Sequence, residues 1–111
     1  IDAVSDIARH YHGRKPLAVG TGASHAEALR LLQAAGIAEL FDAIIGADQV
    51  AHPKPAPDTF ALAAERLGIA AAHCVVFEDG EPGMVAARAA GMAVVDVRPL
   101  IGAAGNYFTT L

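Results

Sequence analysis

The chain has 111 residues, of which 54% are hydrophobic and 18% are charged. A chain of this length forms at most one domain, and its apolar content supports a buried core, which excludes a disordered protein. The formal charge is −4, and the sequence contains no basic stripe, so we expect no nucleic acid partner.

A membrane partner is not expected either. Glycine, proline or a charged residue interrupts every apolar run before it reaches the roughly 18 residues that a membrane helix needs. The single cysteine, Cys74, excludes an internal disulfide framework and a CxxC zinc site. A reducing compartment fits this cysteine content, so we expect a cytoplasmic protein.

The first half of the chain alternates between helix-like and strand-like patterns. Apolar spacing predicts a helix over Ala3–Tyr11 and a short strand over Leu17–Val19. The stretch from Ser24 to Glu27 matches the S-x-x-E capping box, which predicts the start of a second helix that ends before Gly36. The buried face of this helix is expected to comprise Ala28, Leu31, Leu32 and Ala35.

The second half continues the alternation, with a proline-rich loop over 49–57. The run at 74–77 is continuously apolar, which is typical of a strand that is buried on both faces. Residues 1–99 are expected to form one partial core and residues 100–111 a tail. The remaining predicted elements are a strand over Phe41–Ile45, a helix over Asp58–Leu67, a strand over Cys74–Phe77, a helix over Glu81–Ala90 and a strand over Ala93–Val97.

Polar side chains follow three of the predicted strands. Strands that alternate with helices predict a parallel sheet with right-handed crossovers, and ligands of such sheets bind beyond the carboxyl ends of the strands. Thr21 follows the first strand, Lys54 lies beyond the second, and Glu78 and Asp79 directly follow the third. We therefore expect these residues to gather at one edge of the sheet.

Each of these features has a chemical interpretation and a plainer alternative. The stretch from Gly20 to Ser24 is a glycine-containing turn before a capped helix, which suits an anion, but a tight turn also needs glycine. Prolines around Lys54 restrict its backbone, and a held ammonium suits a phosphate, although most lysines are simply solvated. Glu78 and Asp79 suit Mg²⁺, or else they cap the following helix. Taken together, the three features predict a site for phosphate and a metal ion.

Three stretches of the sequence resemble motifs II, III and IV of haloacid dehalogenase-like hydrolases. They are Leu17–Gly22, Lys54–Phe60 and Val75–Gly83. The Lys-Pro-x-Pro-Asp-x-Phe stretch with Glu-Asp-x-x-x-Gly is similar to the β-phosphoglucomutase-like branch, and within it to bacterial fructose-1-phosphate or 6-phosphogluconate phosphatases. The resemblance implies an α/β fold: a Rossmann-like three-layer core with a parallel sheet.

The resemblance also implies roles for individual residues. Thr21 would bind the transferring phosphoryl group, with help from the amides of Gly22 and Ala23, and Lys54 would neutralise it. Asp79 would bind Mg²⁺ directly, and Glu78 would do so directly or through water. The implied reaction is the Mg²⁺-dependent hydrolysis of a small sugar phosphate through an aspartyl-phosphate.

One departure from the family is informative. The family's nucleophile lies in a DxD motif after an upstream strand, and these 111 residues contain no DxD. We therefore expect the chain to be part of a longer protein and to lack the motif I strand and the cap domain, so that the 111 residues alone would be inactive. A β-phosphoglucomutase-type mutase, or a truncated module that binds phosphate or a protein without catalysis, are the alternatives.

Overall fold

The computed structural model describes the backbone of residues 2–100 and shows four α-helices and four β-strands in that range. Most of the predicted tail, residues 101–111, lies outside the described residues. Short 3₁₀ turns occur at 38–40, 47–49, 71–73 and 98–100. The helices are α1 (Asp2–Tyr11), α2 (His25–Ala34), α3 (Asp58–Leu67) and α4 (Glu81–Ala89), and the strands are β1 (Ala18–Gly20), β2 (Ala43–Ile45), β3 (Val75–Glu78) and β4 (Ala93–Asp96).

The helix boundaries follow the capping residues that the sequence predicts. The Ser24 hydroxyl accepts a hydrogen bond from the Glu27 amide at 3.1 Å, so it satisfies one of the free N–H groups at the start of α2. Gly68 ends α3 with a φ of +69°, a left-handed conformation that glycine adopts without a steric penalty. The predicted start of α2 and end of α3 are therefore confirmed.

The strands form two parallel pairs. In one pair β1 lies beside β2, with Ala18 opposite Ala43, and in the other β3 lies beside β4, with Glu78 opposite Asp96. Within residues 2–100, β1 and β3 do not pair with each other. The predicted α/β class with parallel strands is confirmed.

A cavity of about 630 Å³ separates the two strand pairs, and β1 and β3 both line it. One end of the cavity is close to Thr21 and Asp79, the residues that follow the two strands. The helices α1 and α3 contribute mainly apolar side chains to its wall, namely Val4, Ile7, Ala8, Phe60, Ala63 and Ala64. The edges of β1 and β3 that face the cavity therefore have no strand neighbour among the described residues.

Two helices connect the strand pairs. Helix α3 contacts β1 and β2, α4 contacts β3 and β4, and the two helices also contact each other. The buried cluster between them stabilises the arrangement because it removes apolar surface from water. This cluster comprises Phe60, Ala64, Ala86, Ala87 and Met92.

Two burial predictions are wrong. Leu31 is 60% exposed and Ala35 is also exposed, so α2 buries only Ala28 fully, with Leu32 half-buried. Val75 is 52% exposed, although the apolar run predicted a strand that is buried on both faces. Each of these residues needs a neighbouring element to cover it, and the described part of the chain supplies none. None of the helices found in residues 2–100 has the length and apolar character needed to cross a membrane.

Candidate active site

An ion pair joins the loop before α3 to the end of β3. The Lys54 ammonium lies 3.1 Å from Oε2 of Glu78, and both side chains are largely buried, with exposures of 16% and 13%. A buried charge is stable only with a partner, so each group holds the other at this position. The peptide bond between Lys54 and Pro55 is cis. The prediction that Lys54 and Glu78 lie at one edge agrees with this geometry.

Glu78 is fixed further by its neighbours. Its second carboxylate oxygen, Oε1, accepts a hydrogen bond from the Asp79 amide at 3.2 Å. A Cβ at Gly83 would overlap the Glu78 carboxylate, so the glycine in the first turn of α4 leaves room for this side chain. Asp79 is exposed, and no hydrogen bond or ion pair of its carboxylate is found within residues 2–100.

The turn after β1 presents a hydroxyl group. The Thr21 amide donates to the Ile45 carbonyl at 3.0 Å, which anchors the turn to β2. The Thr21 hydroxyl oxygen accepts from the Ala23 amide at 3.1 Å, and its hydrogen remains available for donation. The Ala23 amide is therefore already hydrogen-bonded within the turn. The space beside Gly22 is open, because a Cβ added there would meet nothing within 4 Å.

Four of the predicted site residues line the cavity between the strand pairs. They come from three different connections, which the parallel topology brings together as the sequence led us to expect. Gly22 and Ala23 do not line this cavity. The four predicted site residues that do line the cavity are Thr21, Lys54, Glu78 and Asp79.

The donor chemistry of this edge fits Mg²⁺. Two adjacent carboxylates, Glu78 and Asp79, lie at the end of a strand, and Mg²⁺ is commonly held by one or two carboxylates together with water and substrate phosphate. No group of three or more His, Cys, Asp or Glu side chains that could hold a metal ion occurs in the described residues. Glu78 and Asp79 would therefore hold an ion that keeps other positions open, rather than a fully protein-bound one.

A second charged group lies beyond β4. The Arg98 guanidinium donates to both oxygens of Asp96, with its shortest hydrogen bond at 2.6 Å, and also lies 3.7 Å from Oε2 of Glu81. Hydrogen bonds from the Arg98 side chain lower the pKa of Asp96, and the same pair raises the pKa of Arg98. Because Asp96 lies opposite Glu78 in the paired strands, this pair borders the carboxylate edge.

Other polar residues near the edge have structural roles. Asp48 accepts a hydrogen bond from the His25 amide at 2.8 Å and so caps the start of α2. His52 is 77% exposed and forms a 3.3 Å contact with Asp58 in the first turn of α3. Neither residue lines the cavity that contains Lys54.

Sequence reasoning missed two features of the site. Phe60 was not assigned a role, yet its ring centroid lies 4.8 Å from the Lys54 ammonium. Gly83 belongs to the Glu-Asp-x-x-x-Gly motif, but its purpose, room for the Glu78 carboxylate, is visible only in three dimensions. For the contact between Phe60 and Lys54, the available signal in the sequence was the aromatic residue six positions after Lys54.

Known proteins match this chain in sequence and structure. It is 55% identical over 95 residues to the fructose-1-phosphate phosphatase YqaB of Escherichia coli, a match that covers 86% of the chain and 50% of the relative. The structure of CbbY from Rhodobacter sphaeroides in complex with phosphate has a TM-score of 0.75 and 34% identity, and the match covers 82% of this chain and 42% of that one. A putative β-phosphoglucomutase from Thermotoga maritima also has a TM-score of 0.75, with 31% identity and coverage of 86% and 44%.

The chain spans about half the length of the Escherichia coli relative. The family model of the haloacid dehalogenase-like hydrolases matches residues 2–91, a range that includes Thr21, Lys54, Glu78 and Asp79. The chain belongs to the haloacid dehalogenase-like hydrolase family.

Proposed function

We propose that this chain is part of a Mg²⁺-dependent phosphatase that hydrolyses a small sugar phosphate through an aspartyl-phosphate. The observation that supports this most strongly is the buried Lys54–Glu78 pair beside Asp79 and Thr21 at one cavity. A cation, two carboxylates and a hydroxyl donor are the groups that phosphoryl transfer requires, because catalysis of this reaction consists mainly of positioning and charge stabilisation.

Lys54 and Thr21 are the residues of this chain that are proposed to bind the phosphoryl group. In this proposal the Lys54 ammonium neutralises the phosphoryl oxygens, and the Thr21 hydroxyl donates a hydrogen bond to one of them. The open surface at Gly22 lets the phosphoryl group approach the backbone. The Ala23 amide would join this binding only if it exchanged its bond with the Thr21 hydroxyl oxygen for one with the ligand.

Glu78 and Asp79 would hold Mg²⁺, which when bound supplies positive charge to the phosphoryl oxygens. Glu78 already shares its carboxylate with Lys54, so Asp79 is the direct ligand in this proposal and Glu78 binds the ion directly or through water. The close spacing of the lysine and the carboxylates allows one edge to attract both a dianionic phosphate and a divalent cation.

The nucleophile is proposed to come from sequence outside these 111 residues, which contain no DxD motif. Within residues 2–100, one edge of β1 and one edge of β3 have no strand neighbour, and the apolar cavity of about 630 Å³ between them offers room for a further strand. A carboxylate at the end of such a strand would lie beside Thr21 and Asp79. The 111 residues alone are proposed to be catalytically inactive for this reason.

The substrate class is inferred from the relatives. The name of the Escherichia coli relative specifies fructose 1-phosphate, and this relative shares 55% of the aligned residues. We infer a small phosphorylated sugar as the substrate of the protein that contains this chain. The site residues bind only the phosphate and the metal ion, so the sugar would be recognised by other parts of that protein.

The experiment is an assay of the complete protein against a panel of sugar phosphates, with phosphate release measured with and without Mg²⁺. Lys54→Met is expected to lower kcat/KM by about 100-fold or more, since losing one preorganised charge-stabilising group has an effect of this order. Arg30→Met, at an exposed cationic residue of α2 that does not line the cavity, is the control and is expected to retain activity. Mg²⁺-independent turnover or an unaffected Lys54 variant would contradict the proposal.

A hexose-phosphate mutase is the second candidate, and the structural similarity to a putative β-phosphoglucomutase favours it. The two activities differ in their products, because a mutase returns an isomerised sugar phosphate and a phosphatase returns free phosphate. Product analysis by ³¹P NMR in the same assay separates them. If neither product appears but inorganic phosphate still binds, the non-catalytic binding module is the remaining interpretation.

A further inference from the structure

Phe60 contacts the site but is not one of the groups proposed to bind the phosphoryl group or the metal ion. It lies in the first turn of α3, is only 7% exposed and belongs to the buried cluster between α3 and α4. Its ring centroid lies 4.8 Å from the Lys54 ammonium, within the range in which a cation is attracted to the face of an aromatic ring.

The Phe60 ring also packs against β1. A Cβ at Gly20, the last residue of that strand, would lie 2.9 Å from Cε1 of Phe60 and 3.1 Å from Cδ1. The ring therefore packs directly against the backbone that leads into Thr21. Phe60 joins the end of β1 to Lys54, so it can fix the ammonium relative to the proposed phosphate site.

Among the described residues, the Lys54 ammonium contacts two groups, the Glu78 carboxylate and the Phe60 ring, at a largely buried position. Its side chain is 16% exposed, so the Glu78 carboxylate and the Phe60 ring replace hydration. Glu78 is also a candidate ligand of a divalent cation, and a carboxylate that is engaged with a cation attracts an ammonium less strongly. The ring cannot be engaged by Mg²⁺ in the same way, because Mg²⁺ prefers oxygen ligands.

We infer that Phe60 is a positioning residue that holds the Lys54 ammonium at the phosphate site, and that this contact matters most when Glu78 is engaged with a divalent cation. The inference rests on the proposed function, in which Lys54 binds the phosphoryl group. The face of the Phe60 ring therefore raises the affinity for phosphate, in addition to its contribution to the core.

The test replaces Phe60 in the complete protein with mono-, di- and trifluorophenylalanine. Fluorine withdraws electron density from the ring face while nearly preserving the shape of the side chain, so packing changes little and the attraction for a cation falls stepwise. Binding of inorganic phosphate is measured by calorimetry with Mg²⁺ present, which requires no turnover. Phosphate affinity is expected to fall progressively, by about three- to tenfold at trifluorophenylalanine.

NMR of the Lys54 side chain supplies a second readout. The Lys54 methylene protons next to the ammonium are expected to shift progressively along the series, because they sense the nearby ring. The same fluorinated series at Phe41, which lies before β2 at the opposite end of the strands, is the matched control. Along the Phe41 series, the phosphate affinity and the NMR signals of Lys54 are expected to remain constant.

The outcomes separate this inference from the proposed function. If Lys54→Met weakens phosphate binding and the Phe60 series leaves phosphate binding constant, the inference is overturned and the proposed function stands. Lys54→Met that binds phosphate normally would overturn both. The Phe60 series is also expected to have a larger effect in a Glu78→Gln background, since the ring is then the main partner of Lys54, and equal effects in the two backgrounds would remove the link to Glu78.

Discussion

Lys54 and Glu78 are separated by 24 positions in the chain, yet their charged groups lie 3.1 Å apart in a largely buried setting. The pair joins the proline-rich loop to the end of β3, and it places the cation and the carboxylate edge side by side. Any phosphate that binds Lys54, and any metal ion that binds Glu78, therefore acts on the same pair. In the proposed function, phosphate binding and metal binding are therefore expected to be interdependent.

The first prediction concerns the room that Gly83 leaves for Glu78. A Cβ at this position would overlap the Glu78 carboxylate, so Gly83→Ala is expected to displace that side chain from Lys54. We expect kcat/KM of the complete protein to fall by about 100-fold, because a displacement of about 1 Å at a catalytic group has an effect of this size. Affinity for Mg²⁺, measured by calorimetry, is expected to fall as well.

The neighbouring glycine provides the control for this change. At Gly80 the nearest side-chain atoms to an added Cβ lie 3.8 Å away, and its φ of −132° and ψ of 148° suit any residue. Gly80→Ala is therefore expected to retain activity and Mg²⁺ affinity. If Gly83→Ala behaved like Gly80→Ala, Glu78 would not need the position seen in the structure.

The second prediction concerns the start of α2. The Ser24 hydroxyl accepts the Glu27 amide hydrogen at 3.1 Å, and Ser24→Ala removes this acceptor. The free energy of unfolding is expected to fall by about 1 kcal/mol, as is usual for the loss of an N-cap. Urea denaturation measures the change, and Ser24→Asn, which restores a capping side chain, is expected to recover most of it. Equal stability of the alanine and serine proteins would show that the hydroxyl contributes nothing here.

Local sequence signals predicted much of the fold because they act over a few residues. The Ser24 cap and the glycine at position 68 define helix ends through hydrogen bonds and backbone conformations that depend only on nearby sequence. The convergence of Lys54 and Glu78 was also predictable, since parallel strands place their carboxyl ends at one edge. The first two rules act over a few residues, and the third depends only on the parallel arrangement of the strands.

The misses involve neighbours that the sequence does not reveal. Helical spacing assigns Leu31 to the core and a continuous apolar run assigns Val75 to it, yet these side chains are 60% and 52% exposed. Periodicity identifies the face of an element but not whether another element covers it. The contact of Phe60 with Lys54 depends on rotamers and a loop conformation, so it too was visible only in the structure.

The third prediction concerns a buried hydroxyl. Thr59 is fully buried, and its Oγ1 has no hydrogen-bond partner among the described residues. Thr59→Val keeps the shape of the side chain and removes the unsatisfied polar atom, so the free energy of unfolding is expected to rise by about 1 kcal/mol. Thr59→Ser is expected to be destabilising because it retains the hydroxyl and loses the methyl group that packs close to Gly20. A valine protein less stable than the original would show that the hydroxyl is bonded, for example through water.

The fourth prediction concerns the pH dependence of stability, which we expect Asp96 and Arg98 to influence. Hydrogen bonds from the Arg98 side chain lower the pKa of Asp96 in the folded protein. A carboxyl group whose folded pKa is depressed binds fewer protons in the folded state, so it stabilises the fold above its unfolded pKa of about 3.9. That contribution is lost as the pH falls below this value and through the lower pKa of the folded state.

Asp96→Asn removes the titrating group and provides the comparison. The difference in the free energy of unfolding between the original and the asparagine protein, measured by urea denaturation, is expected to be constant near neutral pH and to shrink at pH values below about 3.9. Because both side chains are partly exposed, at 37% for Asp96 and 50% for Arg98, high salt is expected to reduce the difference at neutral pH. If this difference in the free energy of unfolding grew as the pH fell, protonated Asp96 would stabilise the fold more than ionised Asp96 does. The hydrogen bonds to Arg98 cannot explain that result.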